Sequence, residues 1–376
     1  TQSGQKQEFR EAEHFLNDIR KPLIVVPGNH DTRSGGLYLF EQYIGETNGQ
    51  REIGNAGIIY VNSAVADSDD GRIGRVQFEM LRRKLQDYKH KELKILVLHH
   101  HLLPVPMSGR ERNVLSNAGD VLELVLKSDI DLVLLGHKHY PNIYKVENTV
   151  FVNAGTLSGK KTRYGDVNSY NEITLETGKQ DISIRRVDGN VLTRNYSPRQ
   201  QHIFSRFGKR RLRIVHLSNT FISENRVFLK KHFQNAVRTI ESLDPDLLVH
   251  CGGIVFEGIQ QDYSLAAEYL SSIQKPVLYS PAGRDINYLG YHLFSRYFGT
   301  MDQTFSDGYV LCTGISSAQY DSNAGTVGNT GRKELIERLK NSEEQVKIVF
   351  LHHNIVPIPH RSEKRRVGKE CTLRCR

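Results

Sequence analysis

Apolar positions along the first half of the chain alternate between helical spacing and short continuous runs. The spacing between Phe9 and Ile19 predicts a helix with one apolar face, and Val121–Leu126 fits a second helix. Apolar runs predict strands at Leu23–Val26, Leu93–Leu98, Asp131–Leu135, Thr149–Val152 and Glu172–Leu175. Alternating strands and helices indicate an α/β layered fold with a largely parallel core.

The pattern then repeats. Gly4–Asp31 matches Gly258–Asp285 without a gap at an offset of 254, and Lys94–Pro106 matches Lys347–Pro359 at an offset of 253. We interpret the two stretches as a tandem duplication. The predicted organisation is a domain over 1–188, a polar and basic linker over 189–210, and a second, C-terminally truncated copy over 211–360, which begins with a strand at Leu212–His216.

The formal net charge of +9 is concentrated at the end of the chain. Residues 361–376 carry seven Lys or Arg and two acidic residues, which leaves a net charge of +4 on the rest. A net charge of +4 on residues 1–360 indicates no nucleic-acid-binding face. The stretch 361–371 resembles the translation of a sequencing-library adapter, so we expect the natural sequence to end near His360; the alternative is a genuine basic tail.

Cysteine usage and hydropathy bound the cellular context. Cys251 and Cys312 stand in apolar surroundings, which predicts buried thiols in a reducing compartment such as the cytoplasm. No apolar run reaches the roughly 18 residues of a membrane span, so we expect no membrane partner. The first residue is Thr1 rather than Met, and we expect the natural start to lie upstream.

Three short motifs follow predicted strands in the first copy. They are GNHD at Gly28–Asp31, HHH at His99–His101 and GHKH at Gly136–His139. A single histidine after a strand is more often a core or loop residue. Because functional groups gather beyond the carboxyl ends of strands in α/β sheets, all three motifs together predict a metal site. Imidazole and amide groups suit Zn, Fe or Mn.

This ordered set resembles the calcineurin-like metallophosphoesterase superfamily, and most closely its class III cyclic nucleotide phosphodiesterase branch. The resemblance covers 1–188, with a weaker copy over 211–360. It implies a layered α/β/β/α sandwich, present twice and incomplete in both copies. It also implies two divalent metal ions (Mn, Fe or Zn) and hydrolysis of a phosphodiester or phosphomonoester by metal-bound hydroxide. The partner would be a small phosphate ester, with a cyclic nucleotide as one candidate.

The resemblance assigns roles to single residues. Asn29, His99 and His137 would bind one metal, and His139 would bind the other. His30 would contact the phosphate or protonate the leaving group, with Asp31 orienting it. His99 is preferred within its triple because it is the first residue beyond the strand, while His100 and His101 remain structural or substrate-facing alternatives.

The first copy departs from the family pattern at its start. It lacks the D-x-H motif and the bridging Asp of the G-D motif, and the repeat alignment sets Gly252, Gly253 and Ile254 against positions just before Thr1. We therefore expect those motifs upstream, and we expect residues 1–376 alone to be nearly inactive.

The second copy departs at the ligands themselves. Asn219 and Phe221 replace Asp and His of D-x-H, Gly253 replaces the bridging Asp, and Gly283 and Arg284 replace Asn and His of GNHD. His352 and His353 survive. The sequence therefore predicts a degenerate second copy that does not hold two metals. The competing hypothesis is a non-catalytic scaffold or regulatory protein that binds a partner through this copy.

Overall fold

The computed structural model describes residues 1–106, 108, 114–159, 162–163, 165–176, 179–196, 212–224 and 228–359. The chain divides into two compact units. The first comprises Thr1–Arg206 with Val356–Arg376, and the second comprises Phe207–Ile355. Both units are mixed α/β structures.

Strands and helices alternate in the first unit. The elements are α1 (Lys6–Asn17), a 3-10 turn (Arg33–Gly35), α2 (Gly36–Tyr43), β1 (Gly49–Ile53), β2 (Ala56–Tyr60), α3 (Arg75–Asp87), a 3-10 turn (Tyr88–His90), β3 (Leu93–Val97), α4 (Ala118–Lys127), β4 (Leu132–Leu135), β5 (Asn142–Val146), β6 (Thr149–Asn153), β7 (Ser169–Glu176), β8 (Lys179–Arg186) and β9 (Val191–Tyr196). The predicted strands near 93, 131, 149 and 172 and the helix near 121 are confirmed.

A six-stranded sheet forms the centre of this unit, in the order β1-β2-β3-β4-β6-β5. Strands β2, β3, β4 and β6 run parallel, and β1 and β5 are antiparallel edges. Strands β7, β8 and β9 form a separate antiparallel sheet.

Both faces of the central sheet are buried, which explains its continuous apolar runs. On one face Leu96 and Phe151 pack with Leu81 of α3 and Val121 of α4. The other face contributes a second cluster, in which Ile182 of β8 joins residues of β3, β4 and β6. Each fully buried side chain of this size stabilises the fold by about 1.5–3 kcal/mol.

The strand predicted at Leu23–Val26 does not form. The segment enters no strand pairing among the described residues, and Leu23 is 37% exposed. An apolar run becomes a strand only where a neighbour satisfies its backbone N–H and C=O groups. In the second unit the matching segment, Val277–Tyr279, pairs with Leu247–His250 and is a strand.

The predicted linker over 189–210 begins with structure instead. Val191–Tyr196 forms β9 and pairs antiparallel with β8. Val191 and Leu192 are 49% and 38% exposed, so this edge strand is held by backbone pairing more than by burial. Its hydrophobic signal is correspondingly weak. Residues 197–210, the rest of the predicted linker, lie outside the described residues.

The second unit contains two three-stranded sheets with helices between the strands. Its elements are β10 (Ile214–Leu217), α5 (Lys230–Leu243), β11 (Leu247–His250), α6 (Gln260–Ser271), β12 (Val277–Tyr279), α7 (Gly283–Ile286), α8 (Gly290–Phe298), β13 (Thr304–Ser306), β14 (Val310–Gly314), α9 (Asn329–Asn341) and β15 (Val346–Phe350). The sheets are β10-β11-β12, which is parallel, and β13-β14-β15. The strand predicted at the start of this unit is confirmed as β10.

Matching sequence positions adopt matching local structure in the two units. Helices α1 and α6 cover equivalent positions, as do α3 and α9. Ser63 Oγ lies 3.0 Å from His100 Nδ1, and Ser317 Oγ lies 2.9 Å from His353 Nδ1. The origin of both units in one duplicated domain stays a prediction.

The two cysteines of the second unit are free and buried, as predicted. Burial raises the pKa of both Cys251 and Cys312 to about 11. The thiols are therefore protonated near neutral pH, and protonated thiols are poor nucleophiles and metal ligands.

Two further predictions concern the tail and the membrane. Residues 361–376 lie outside the described residues, so the prediction of an adapter-derived tail stands untested. Within the described ranges, no helix combines the length and apolar content that crossing a membrane requires. A cytoplasmic location stays a prediction.

Candidate metal centre

Two of the histidine motifs meet at the carboxyl end of the parallel strands in the central sheet. His99 and His137 each lie two residues beyond a strand, β3 and β4, and these strands are parallel neighbours. The backbone N–H of Gly136 donates to the carbonyl of His99 at 2.9 Å, which joins the two turns directly. The carboxyl ends of adjacent parallel strands bring both imidazoles to the same place, as the sequence predicted.

The GNHD turn contributes the third group. Asn29 Oδ1 lies 3.1 Å from His99 Nε2 and 3.3 Å from His137 Nδ1, and those two nitrogens are 3.3 Å apart. For metal–ligand bonds of about 2.1 Å, adjacent ligand atoms lie about 3.0 Å apart in an octahedron and about 3.4 Å apart in a tetrahedron. The three atoms therefore have the spacing of one face of a coordination polyhedron.

Asp69 fixes the orientation of the Asn29 amide. Asn29 Nδ2 donates to Asp69 Oδ1 at 2.8 Å, and Arg33 Nη2 donates to the same oxygen at 2.8 Å. A carboxylate only accepts, so the amide turns its NH2 to Asp69 and its oxygen to the histidines. Hydrogen bonds from Arg33 and then Asn29 hold the pKa of Asp69 below its usual value. Sequence reasoning missed this residue.

Burial keeps the imidazoles neutral. The pKa of His99 lies well below its usual value, first because of burial and then because of neighbouring histidines. Burial, followed by repulsion from His100 and Lys138, lowers the pKa of His137 to about 3. Neutral imidazole is the form that binds a metal, so the site is ready for one at neutral pH.

Backbone geometry at the site is unusual for non-glycine residues. His137 and His139 both have positive φ, 71° and 53°. Such left-handed residues cluster at functional sites, where the surrounding contacts hold them. The His99 ring also packs closely against Gly28: a Cβ there would lie 2.8 Å from His99 Cε1, so only glycine leaves room for the ring.

His100 and His101 are placed differently from His99. His100 Nδ1 pairs with Ser63 Oγ, and its ring packs on Gly71, where a Cβ would lie 2.2 Å away. His353 of the second unit has the same surroundings, with Ser317 and Gly325. His101 is fully buried and its ring stacks on that of His137 at 5.9 Å; its two ring nitrogens have no hydrogen-bond partner among the described residues. The recurrence of the His100 surroundings at His353 in the second unit favours a structural role for His100.

His100 is nonetheless close enough to be a ligand. One ligand atom each from His99, His100 and His137 lies within 4.8 Å of the others. His139, the predicted ligand of a second metal, does not join this group of described residues. Its role stays a prediction.

His30 and Asp31 lie next to Asn29 in the same turn. His30 Nδ1 donates to the carbonyl of Gln2 at 2.8 Å, which leaves Nε2 as the free ring nitrogen. Asp31, the residue expected to orient His30, accepts hydrogen bonds from the Gly28 N–H at 2.8 Å and from the Thr1 hydroxyl at 2.7 Å. Asp31 thus braces the turn, and the chemical roles of both residues stay predictions.

The donor set fits a divalent metal of borderline hardness. It combines two neutral imidazole nitrogens with one amide oxygen, as Zn, Fe and Mn accept. Asp69 behind Asn29 supplies the second layer of hydrogen bonding that metal sites commonly need. Asn29, His99 and His137 are the residues that would hold the ion.

Comparison with known proteins places this site in a family. Residues 5–178 match the model of the calcineurin-like phosphoesterase superfamily domain, and that range contains all three motifs. The first unit contains a calcineurin-like phosphoesterase domain. The family is metal-dependent, in agreement with the imidazole cluster of this phosphoesterase domain.

Curated relatives of the phosphoesterase domain are cyclic nucleotide phosphodiesterases. The chain is 33% identical over 142 residues to the 3',5'-cyclic adenosine monophosphate phosphodiesterase CpdA of Escherichia coli, covering 36% of this chain and 51% of that protein. It is 24% identical over 137 residues to a 3',5'-cyclic-nucleotide phosphodiesterase of Nostoc, again covering 36% and 51%. The chain spans about half the length of these relatives.

A solved structure is also similar. The purple acid phosphatase from yellow lupin seeds aligns at 15% identity with a TM-score of 0.32, over 46% of this chain and 34% of that one. A similarity of this size supports no conclusion about function.

The described part of the second unit lacks the arrangement formed by Asn29, His99 and His137 in the first unit. At the positions that match Asn29 and His30 stand Gly283 and Arg284. Within the described part of this unit, no three histidine, cysteine or acidic groups converge. Asp285, which matches Asp31, keeps the bracing contact, because its carboxylate accepts the Ala282 N–H at 2.8 Å.

Proposed function

We propose that the phosphoesterase domain hydrolyses a phosphodiester or phosphomonoester in a metal-dependent reaction. One observation carries the proposal. Asn29 Oδ1, His99 Nε2 and His137 Nδ1 lie 3.1–3.3 Å from one another at the carboxyl end of the parallel strands. The family match supports the same reading.

In this proposal each residue of the site has a separate role. Asn29, His99 and His137 hold the metal, and Asp69 keeps the Asn29 oxygen turned toward it. A metal held by these residues would supply positive charge to the phosphoryl oxygens and would activate water for attack on phosphorus. His30 donates Nδ1–H to the Gln2 carbonyl, so Nε2 carries a proton only when the ring is an imidazolium; in that form Nε2 would contact the phosphate or protonate the departing alkoxide.

The substrate we propose is a small phosphate ester. Cyclic nucleotides are the first compounds to test, because the curated relatives are named as phosphodiesterases of cyclic nucleotides. His139 is our candidate ligand for a second metal. The first unit contains neither the D-x-H motif nor the bridging Asp of the family. We therefore expect residues 1–376 to bind at most one metal, weakly, and to be nearly inactive.

We propose that the second unit is a degenerate copy of the first. The matched helix bounds, the two Ser–His pairs and the shared bracing carboxylate support this reading. The alternative of a purely non-catalytic scaffold requires the first unit to be vestigial as well. The converged ligand atoms of Asn29, His99 and His137 argue against that alternative.

Metal binding tests the proposal most directly. Residues 1–376 should bind at most one Mn²⁺ or Zn²⁺ per chain, and weakly, in equilibrium dialysis. His137→Ala should lower the affinity at least tenfold, because losing a ligand leaves an open, misplaced coordination position. His14→Ala changes an exposed histidine on α1 and should bind like the unchanged protein.

Hydrolysis provides the second readout. Slow turnover of an aryl phosphodiester and of cyclic AMP with added Mn²⁺ should disappear in His137→Ala and persist in His14→Ala. The proposal fails if the unchanged chain binds no metal, or if His137→Ala binds and hydrolyses as well as His14→Ala.

A further inference from the structure

The second unit contains a cavity of about 160 Å³ at the strand ends that match the metal site of the first unit. Loops after β10, β11, β12 and β15 line it. Its wall includes Asn219, Gly253, Gly283, Arg284, Asn323 and His352. Among the described residues that line this cavity none is acidic, and one is an arginine. The charge is therefore the reverse of what a metal ion requires.

Arg284 is held in place by aromatic rings. Its Cζ lies 5.1 Å from the ring centre of Phe256 and 5.9 Å from that of Phe221. Cation–π contacts of this kind position a guanidinium without using its N–H groups. Among the residues that the structure describes, Arg284 forms no ion pair and its side chain donates no hydrogen bond. Its donors are available to a ligand.

The neighbouring carboxylate does not neutralise this charge. Asp285 is fully buried, and its oxygens accept backbone N–H groups of Gly253, Ile254, Val255 and Ala282 at 2.8–3.0 Å. These four bonds fasten the Gly253 loop to the Ala282 turn. The carboxylate is thus engaged with backbone N–H groups, and among the described residues it forms no ion pair with Arg284.

Gly253 has no side chain that could supply an acidic ligand to this cavity. Gly253 has a φ of +69°, and a Cβ there would lie 2.5 Å from Asn219 Oδ1. An aspartate at this position would meet both backbone strain and a steric clash. The loop is therefore built for a cavity without a bridging carboxylate.

His352 offers one free nitrogen. Its Nδ1 donates to the carbonyl of Cys251 at 2.6 Å, so Nε2 remains as an acceptor in the neutral ring. A monoprotonated phosphate carries both the oxygens that a guanidinium binds and an O–H that such a nitrogen accepts. Carboxylates such as acetate are ionised at neutral pH and provide no matching O–H.

We propose that this cavity binds a phosphate group, either as free phosphate or as the terminal group of a small phosphomonoester. The planar guanidinium of Arg284 matches two phosphate oxygens. The volume of about 160 Å³ is below that of cavities for drug-sized ligands, about 300–1,000 Å³, and suits one such group. The assignment concerns binding alone and does not rest on the hydrolysis proposed for the first unit.

Calorimetric titration of the full chain tests this assignment. The titrations use inorganic phosphate, phenyl phosphate and acetate at equal ionic strength, with EDTA present so that no metal in the first unit contributes. We expect saturable binding of at least one phosphate compound. Arg284→Gln should weaken it at least tenfold, and Arg284→Lys should weaken it less because charge remains without the planar fork.

Arg296→Gln is the matched control. Arg296 lies on α8 of the same unit, exposed, over the ring of Tyr297 at 6.0 Å. This variant should bind phosphate like the unchanged protein. Hydrogen exchange of peptides covering 280–286 should slow with phosphate in the unchanged protein and in Arg296→Gln, which places the ligand at the cavity.

Comparison of phenyl phosphate with inorganic phosphate shows whether the ligand is a phosphomonoester or free phosphate. Tighter binding of phenyl phosphate indicates a phosphomonoester, and tighter binding of inorganic phosphate indicates free phosphate. Absence of saturable binding, equal binding of acetate, or equal losses in Arg284→Gln and Arg296→Gln would overturn the proposal. If Arg284→Gln does not fold, undiminished binding in Arg284→Lys together with unchanged exchange at 280–286 would overturn it as well.

Discussion

Asp69 Oδ1 accepts a hydrogen bond of 2.8 Å from the side-chain amide of Asn29, forty residues earlier in the chain. The same oxygen accepts Arg33 at 2.8 Å. Because the Asn29 oxygen is the atom that meets His99 and His137, Asp69 controls a proposed metal ligand without touching the metal position itself.

Asp69→Ala should therefore weaken metal binding. The Asn29 amide loses the acceptor that fixes its orientation, and loss of such supporting groups costs about 10–100-fold in metal affinity. Competition with a fluorescent chelator measures the effect. Asp70→Ala removes an exposed neighbouring carboxylate and should leave the affinity within about twofold of the unchanged protein. Equal affinities for the two variants would remove Asp69 from the site.

Gly28→Ala should displace the His99 ring. The new Cβ would lie 2.8 Å from His99 Cε1 and 3.1 Å from its two ring nitrogens. Overpacking of this kind costs about 1–3 kcal/mol, and here the ring that moves is a proposed ligand. We expect at least tenfold weaker metal binding.

Gly136→Ala is the matched control for that change. A Cβ on Gly136 would lie 3.5 Å from His99 Nδ1, which is ordinary contact. It should bind metal nearly as well as the unchanged protein. Similar losses in both glycine variants would show that steric pressure on His99 is not the cause.

Ser63→Ala should destabilise the first unit more than it weakens metal binding. Ser63 Oγ contacts both the backbone N–H and Nδ1 of His100 at 3.0 Å. Leaving those buried groups unpaired costs about 1–3 kcal/mol. Ser317→Ala removes the same pair of contacts from His353 in the second unit and should destabilise that unit similarly.

Thermal unfolding and metal titration of both serine variants separate the roles of His100. A metal affinity that stays within about threefold in Ser63→Ala agrees with a structural His100. A loss of metal affinity as large as that of His137→Ala would instead make His100 a ligand.

His250 should make the second unit less stable in acid. It is fully buried, and burial, followed by His216 and His352, lowers its pKa to about 3. In the unfolded chain this histidine takes up a proton near pH 6.5, whereas in the folded chain it stays neutral down to about pH 3. Its contribution to the free energy of unfolding is therefore fully present above pH 6.5 and is lost as the pH falls toward 3. One such group contributes a slope of about 1.4 kcal/mol per pH unit.

His250→Asn should remove that contribution. Hydrogen exchange of the β11 amides between pH 4 and 6 reports the local unfolding free energy, and its slope with pH should decrease in the variant. His232→Asn, an exposed histidine on α5, should keep the slope of the unchanged protein. An unchanged slope in His250→Asn would mean that this histidine titrates normally.

Much of this protein could be predicted from the sequence, because local patterns carry the information. Continuous apolar runs identified β3, β4 and β6, since strands buried on both faces need apolar residues throughout. The histidine motifs could be placed together because His99 and His137 each follow such a strand. The offset of 254 likewise anticipated matching structure in the second unit.

Only the tertiary structure decided which groups support those motifs. Asp69 reaches Asn29, and Ser63 reaches His100, through loops whose meeting depends on how the sheet and helices pack. The segment Leu23–Val26 also shows this dependence on neighbouring segments. Its apolar run predicts a strand, yet a strand forms only where another backbone pairs with it. Periodicity records what each segment favours by itself, whereas pairing and hydrogen bonding across the chain depend on what lies beside it.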